Sequence, residues 1–270
     1  MAAAWFRKKP EKGSEYHMNI YLQALQRVIS GLPTTLWLTV TSILLAMGLG
    51  MLLLTGLRAK AGPVRMIFRI LGSFLKAIPI LVFLYVFNSA IDDIMGGLDS
   101  LLPFFTYNIR KPPTMLFAIF ALALSYTPYM SDMMDTALRA IPAGQYEACD
   151  AAGFTGWQKM TRIIIPQGIV VAIPNFGNHF VNLLKATSLT CMVTIMEMMG
   201  EARNFATYSQ RFLESYITCA LVYWGVFLVF EQLFRIIERK AGSYLKPGVP
   251  TVQKNRQYPE LQWFRPRRRG

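Results

Sequence analysis

Three polar side chains stand inside an apolar run where a membrane interior would penalise them. Asn178, Asn182 and Lys185 follow one another at i, i+4 and i+7 within the stretch from Gly168 to Met199, and so share one helical face. Two amides and an ammonium are hydrogen-bond donors, and a solute carboxylate or zwitterion held in a central cavity needs such donors. Ionisable groups inside a span are costly and mark solute pathways. The same residues also have a structural reading, in which the asparagines bond neighbouring helices and Lys185 snorkels or pairs with Glu197. His179 falls off that face and reads as a packing residue. Lys76, close to Pro79, reads as a structural group that caps broken backbone or lies near the inner headgroups.

A second group suits contact rather than solute. The segment "GQYEACDAAGFTGWQKMTRIIIPQG", residues 144–168, offers Ala148, Ala151 and Ala152 as a face of little bulk, flanked by the charges of Glu147 and Asp150. Another protein's surface can approach such a face closely, although an ordinary structured loop has the same composition. Other chemistries find no footing. The chain has no glycine-rich phosphate loop ending in Lys-Ser/Thr, no Ser/His/Asp cluster and no metal-ligand spacing. Cys149, Cys191 and Cys219 are odd in number and unclustered, and read as small apolar packers.

The elements that must position these groups are membrane helices. The 270-residue chain is 53% hydrophobic and 16% charged, below the quarter of charged residues usual in soluble domains. Five spans are predicted, at about 32–57, 66–89 (with Lys76 and Pro79), 113–134, 168–199 (interrupted at Pro174) and 211–237. Interrupted helices at Pro79 and Pro174 would border a binding site. Ahead of the first span, Met18, Leu22, Leu25, Ile29 and Leu32 recur at helical spacing and predict an amphipathic helix, lying at the interface or packed on the spans. The fold class is therefore an all-α integral membrane protein. A net charge of +13 does not point to nucleic acid, because no aromatic–basic interleaving accompanies it. Its basic groups concentrate at Arg58, Lys60 and Arg65, at Arg139, Lys159 and Arg162, and in the tail 240–270, where eight basic residues face one acid. That asymmetry predicts a cytoplasmic C-terminus and a cytoplasmic segment 142–166, with anionic lipid beside the tail. Arg7, Lys8, Lys9 and Lys12 oppose the outside N-terminus that five spans then require.

Within 142–166, Pro142 suits a helix's first turn and Gly153 the left-handed residue just past its end. Thr155 with Gln158 makes a capping-box pattern for a second short helix, and Pro166 is predicted to end it.

The spacing Glu147-Ala148-Cys149, then Gly153, then Ile163-x-Ile165-Pro166 resembles the EAA motif of ABC importer permeases, with Cys149 for alanine and Ile165 for leucine as its departures. "LKAIPILVFLYVF" (75–87), "IPAGQYEA" (141–148) and "IPNFGNHFVNLLKATSL" (173–189) resemble segments of the polar amino-acid permeases. Lys76 stands for Arg there, Ala77-Ile78 for Gly-Thr, Ala186 for Asp and Asp135 for Arg.

The resemblance implies a permease subunit of a bacterial cytoplasmic-membrane importer that moves a polar amino acid by alternating access. It implies residues 1–31 as an N-terminal segment, 32–237 as the transmembrane domain and 238–270 as a basic tail. Glu147, Ala148, Asp150, Gly153 and Pro166 would form coupling helices seated on a partner ATPase, while Asn178, Asn182 and Lys185 would line the solute cavity. The partners implied are two ATP-binding subunits holding ATP and magnesium, a second permease copy, and an extracellular solute-binding protein. The chain itself would hold no cofactor and catalyse nothing. Rival readings are an ion-gradient-driven secondary transporter, a permease for another small solute, or a membrane scaffold. With no buried acid evident near 178–185 unless Glu197 or Asp132 reaches the cavity, the substrate reads as a neutral or acidic amino acid.

Overall fold

The computed structural model describes residues 10–91, 93, 97 and 113–242; most of the expected second loop and the basic tail lie outside the described residues. Among the described residues every regular element is helical. Three elements match predicted spans closely: α2 (Leu32–Leu57), α5 (Thr114–Arg139) and α10 (Phe212–Gly242). At 1.5 Å per residue each is about 39 Å or more in length, enough to cross a hydrocarbon layer of about 30 Å.

The second and fourth spans are bent pairs. Helices α3 (Gly62–Ala77) and α4 (Ile80–Ser89) meet at 97°. The residue before proline is driven out of the helical region, and Ile78 accordingly adopts φ −81°, ψ 125°. Helix α8 (Ile165–Ala186) passes through Pro174 without a break, contrary to the predicted interruption there. Its break comes later, in a 3₁₀ segment at Thr187–Val193 ending on left-handed Thr194, after which α9 (Met198–Ser209) leaves at 45°. Hydroxyls make that break tolerable. Thr187, Ser188 and Thr190 donate to the carbonyls of Leu184, Lys185 and Thr187, at 2.7 Å each, where lipid offers no replacement. Counting each bent pair as one span gives up to five.

Helix α1 (Pro10–Ser30) is packed, and by a different face from the predicted stripe. Leu22 and Ile29 are 51% and 48% exposed, whereas Ile20, Ala24 and Val28 are buried. Val28 joins Met198, Ala202 and Cys219 in one cluster, so α1 lies against α9 and α10. The central core joins α2, α5 and α8 through Ile43, Ala46, Leu122, Met130, Leu183 and Leu184. In lipid such packing is won by close van der Waals fit rather than by escape from water. At Gly50 an added Cβ would sit 2.9 Å from the Met130 Cβ, so α2 and α5 touch nearly backbone to backbone.

Candidate functional site

The segment after α5 is short, ordered and uncovered. Helix α6 (Ala143–Ala151) ends in two linked bonds: Phe154 N–H to the Cys149 carbonyl at 3.0 Å and Gly153 N–H to that of Asp150 at 3.1 Å. This Schellman closure needs a left-handed residue, and Gly153 supplies it with φ +75°. Pro142 stands just before α6 rather than inside its first turn. Helix α7 (Gly156–Lys159) opens with the capping box of Thr155 and Gln158. Pro166 does not end that helix. A π-turn, Met160–Ile164, carries the helix into α8 without a break, and its wider bonding accommodates Pro166, which lacks the N–H that a regular ladder would use there.

Glu147, Ala148, Ala151, Ala152 and Gly153 are exposed while Cys149 is buried beneath them. Asp150 pairs with Lys159 and so ties α6 to α7, whereas Glu147 makes no ion pair among the described residues. Trp157, passed over in the sequence reading, is 78% exposed on α7. Its signal was present: a large apolar ring in a polar, one-turn element with no core to enter. The segment is braced from behind. Tyr146 donates to the Leu138 carbonyl at 3.1 Å. Asp135 takes both Arg58 of α2 and Arg139 of α5 at 2.6 Å, so the acid that departs from the family's basic residue is an anchor here.

Asn178, Asn182 and Lys185 come together as the spacing required. They line a cavity of about 440 Å³ between α8 and α10, shared with Phe227, Glu231 and Arg235. The two helices run antiparallel, with Gly177 against Phe234, Phe180 against Phe230 at 4.9 Å and Lys185 Nζ 4.8 Å over the Phe227 ring. Phe227 is 15 residues from either end of α10, so Lys185 stands level with the middle of that span. It lies in the last turn of α8 and makes no ion pair with Glu197 among the described residues. On its other side lies a cavity of about 630 Å³, walled by Ser188, Tyr216, Tyr223 and Trp224. Asn182 also borders a smaller one, about 230 Å³, with Tyr126, Tyr129 and His179 at the α3–α4 bend. His179 stacks near Tyr129, ring centroids 6.0 Å apart. Lys76 meets Asp132 at 2.5 Å, in place of the backbone-capping role predicted. The expectation of no acid nearby does not hold, because Glu231 reaches the cavity from α10, distant in sequence, and bonds Arg235 at 2.6 Å.

Glu197 is fully buried away from these cavities. Its carboxylate accepts from Gly200 N–H at 2.8 Å, capping α9, and from Tyr223 Oη at 2.7 Å and Thr35 Oγ1 at 3.4 Å. Burying a carboxylate is tolerable when donors replace its hydration. One side chain thus knots the starts of α2 and α9 to the middle of α10, and it fixes Tyr223 in the cavity wall.

Comparison with known proteins gives concordant matches. Residues 42–243 match the family model for the binding-protein-dependent transport system inner membrane component. The chain is 31% identical to the probable amino-acid permease protein YxeN of Bacillus subtilis (strain 168), over 81% of this chain and 92% of that protein. It is 28% identical to the arginine ABC transporter permease protein ArtM of Haemophilus influenzae, covering 83% and 96%. A crystal structure of an amino acid ABC transporter with histidines superposes with a TM-score of 0.67 at 24% identity, over 81% and 96%, and supports the fold.

Proposed function

The chain belongs to the binding-protein-dependent transport system inner membrane components, and on that premise we propose that it carries a polar amino acid inward through the α8–α10 cavity. As a permease subunit of an ABC importer it is a conduit and not itself a catalyst. The observation that carries the substrate reading is the mixed lining of the 440 Å³ cavity. Lys185 is its cation with no carboxylate bonded to it, and Asn178 and Asn182 flank that ammonium with amides. A zwitterion's carboxylate fits Lys185, and its ammonium fits Glu231 or an amide oxygen. A place level with the middle of α10 suits a site that must open in turn to either side of the membrane. Relatives named as amino-acid permeases favour the same class.

Two ATP-binding subunits hold ATP and magnesium and hydrolyse the nucleotide; a second permease copy completes the pathway, and an extracellular binding protein delivers the solute. Glu147, Ala148, Gly153 and Trp157 present the surface on which an ATP-binding subunit sits. Asp150 and Pro166 shape that surface from within, Asp150 by its bond to Lys159 and Pro166 by directing the chain into α8. In this arrangement residues 142–166 and the C-terminus face the cytoplasm. Co-purification of the chain with an ATP-hydrolysing partner, followed by ATP-dependent uptake of labelled amino acids into proteoliposomes, tests the assignment. Glu147→Lys should weaken that association by reversing an exposed contact charge. Uptake driven by an ion gradient without any ATPase would refute it.

A further inference from the structure

We propose that the cavity of about 630 Å³ receives the solute's side chain, so that the solute is an amino acid whose side chain is bulky and aromatic or otherwise apolar in body; this rests on the amino-acid reading above.

One stripe of α10 runs along both large cavities and changes character at Phe227, which borders each of them. Toward the Phe212 end the stripe presents Tyr216, Tyr223 and Trp224; toward the Gly242 end it presents Glu231, Arg235 and Glu238. Lys185 stands at the change, its Nζ 4.8 Å over the Phe227 ring, and it too borders both cavities. A solute carboxylate held on that ammonium brings its α-carbon to the junction. The α-ammonium belongs on the side of Asn178, Asn182 and Glu231, where amides and a carboxylate can replace its water. The side chain then enters the other cavity.

That cavity offers broad surface and few bonds. Ser188 Oγ donates to the Lys185 carbonyl and Tyr223 Oη to Glu197, each at 2.7 Å, so both hydroxyls are already engaged. Met199, Cys219 and Ala220 extend the apolar wall, and the Trp224 ring is 60% exposed. An amide or carboxylate side chain would lose its water there with few replacements, whereas a flat apolar one stacks on the rings. Size points the same way. Pockets of about 300–1,000 Å³ enclose drug-sized ligands, so a methyl or hydroxymethyl group would leave most of this one unfilled. A lipid tail suits the wall but not Lys185, which makes no ion pair among the described residues and would keep an unsatisfied charge beside hydrocarbon.

The test uses the permease co-purified with its ATP-binding subunits in nanodiscs, with no binding protein present, so that the permease alone selects. Equilibrium binding of labelled tryptophan, phenylalanine, glutamine, glutamate and alanine is measured. Tryptophan or phenylalanine should bind at least about tenfold more tightly than the other three, as burial of a large apolar side chain requires. Trp224→Ala should weaken that binding about fivefold or more while leaving alanine unchanged, and Trp224→Phe should restore most of it. Lys185→Met should weaken all five. A wild type that binds none of the five overturns the amino-acid reading and this proposal with it. A wild type that binds glutamine, glutamate or alanine as tightly as the aromatic pair overturns the side-chain assignment alone. An aromatic preference untouched by Trp224→Ala overturns it as well, and native mass spectrometry of that variant then shows whether a lost phospholipid or a lost second permease copy was the occupant instead.

Discussion

Gly31→Ala is a one-methyl perturbation whose consequence can be worked from the coordinates. Gly31 joins α1 to α2 with φ −80° and ψ −12°, backbone that alanine adopts freely, so any cost is steric. An added Cβ would lie 2.5 Å from the Glu197 carbonyl carbon, 2.6 Å from Met198 N and 2.7 Å from the Glu197 oxygen. Carbon contacts are comfortable near 3.5–4.0 Å, so the start of α9 must retreat by roughly 1 Å. All three offending atoms are backbone and no rotamer change can relieve them. Retreat pulls Met198 N–H from Thr35 Oγ1, now 3.2 Å, and Glu197 from the Tyr223 hydroxyl, now 2.7 Å. Overpacking costs about 1–3 kcal/mol and a lost hydrogen bond to a charged group about 1.5–3 kcal/mol, together roughly 2–6 kcal/mol. Gly48→Ala, on the same helix with nothing within 4 Å of its Cβ, is the matched control and should be neutral or stabilising by up to about 1 kcal/mol. Thermal unfolding of the detergent-purified protein, followed by fluorescence-detected size exclusion, compares the two. Tyr223→Phe should reproduce only the hydrogen-bond part of the loss. If Gly31→Ala unfolds at the temperature of Gly48→Ala, the close approach of α1–α2 to α9 is wrong.

Gly153→Val should leave the chain inserted but uncouple ATP hydrolysis from uptake, because φ +75° costs a side-chain-bearing residue about 1–2 kcal/mol and distorts the α6–α7 joint; coupled uptake at the normal rate would count against the docking role. Lys185→Met should abolish amino-acid uptake and Lys185→Arg should retain part of it, with membrane level and ATPase association unchanged in both. Unaltered rate and affinity in Lys185→Met would make Lys185 structural. A single cysteine at Gly156, in a background lacking Cys149, Cys191 and Cys219, should resist impermeant maleimide in intact cells and react after permeabilisation; labelling from outside would reverse the orientation.

What the chain order revealed is what local physics controls. Apolar runs 32–57, 113–134 and 211–237 set α2, α5 and α10 within a few residues, because length and charge exclusion alone decide a simple span. The Thr155–Gln158 cap and the turn at Gly153 were legible for the same reason, each being complete within four residues. The break at Pro79 was legible from the proline itself, but the unbroken passage through Pro174 was not, since two similar prolines differ only in what surrounds them. Pro79 opens into a turn that α5 and the 3₁₀ segment enclose, while Pro174 rides inside a helix held by aromatic packing from α10. Glu231 and Trp157 were missed, and Glu197 was given the wrong partner, because their roles depend on partners, or on uncovered surface, far away in sequence. The face of α1 was misassigned because its buried stripe, Ile20, Ala24 and Val28, centres on an alanine and is less bulky than the leucine stripe beside it. Ala24 contributes little to a hydrophobic count and much to close approach.

The double anchoring of Asp135 has a mechanical meaning. Each of its arginine bonds is solvent-accessible and individually worth no more than about 1 kcal/mol. Only the Arg58 bond crosses between helices, tying the foot of α2 to α5; the Arg139 bond lies within α5 and holds the carboxylate in place for it. The strut from Tyr146 to the Leu138 carbonyl then joins α6 to that same base. The feet of α2 and α5 and the start of α6 are thus linked through Asp135 and Tyr146, so that a displacement at α6 would be shared with both spans instead of being taken up at the joint. Raising the ionic strength would loosen this link, because the Arg58–Asp135 pair that makes it is open to solvent.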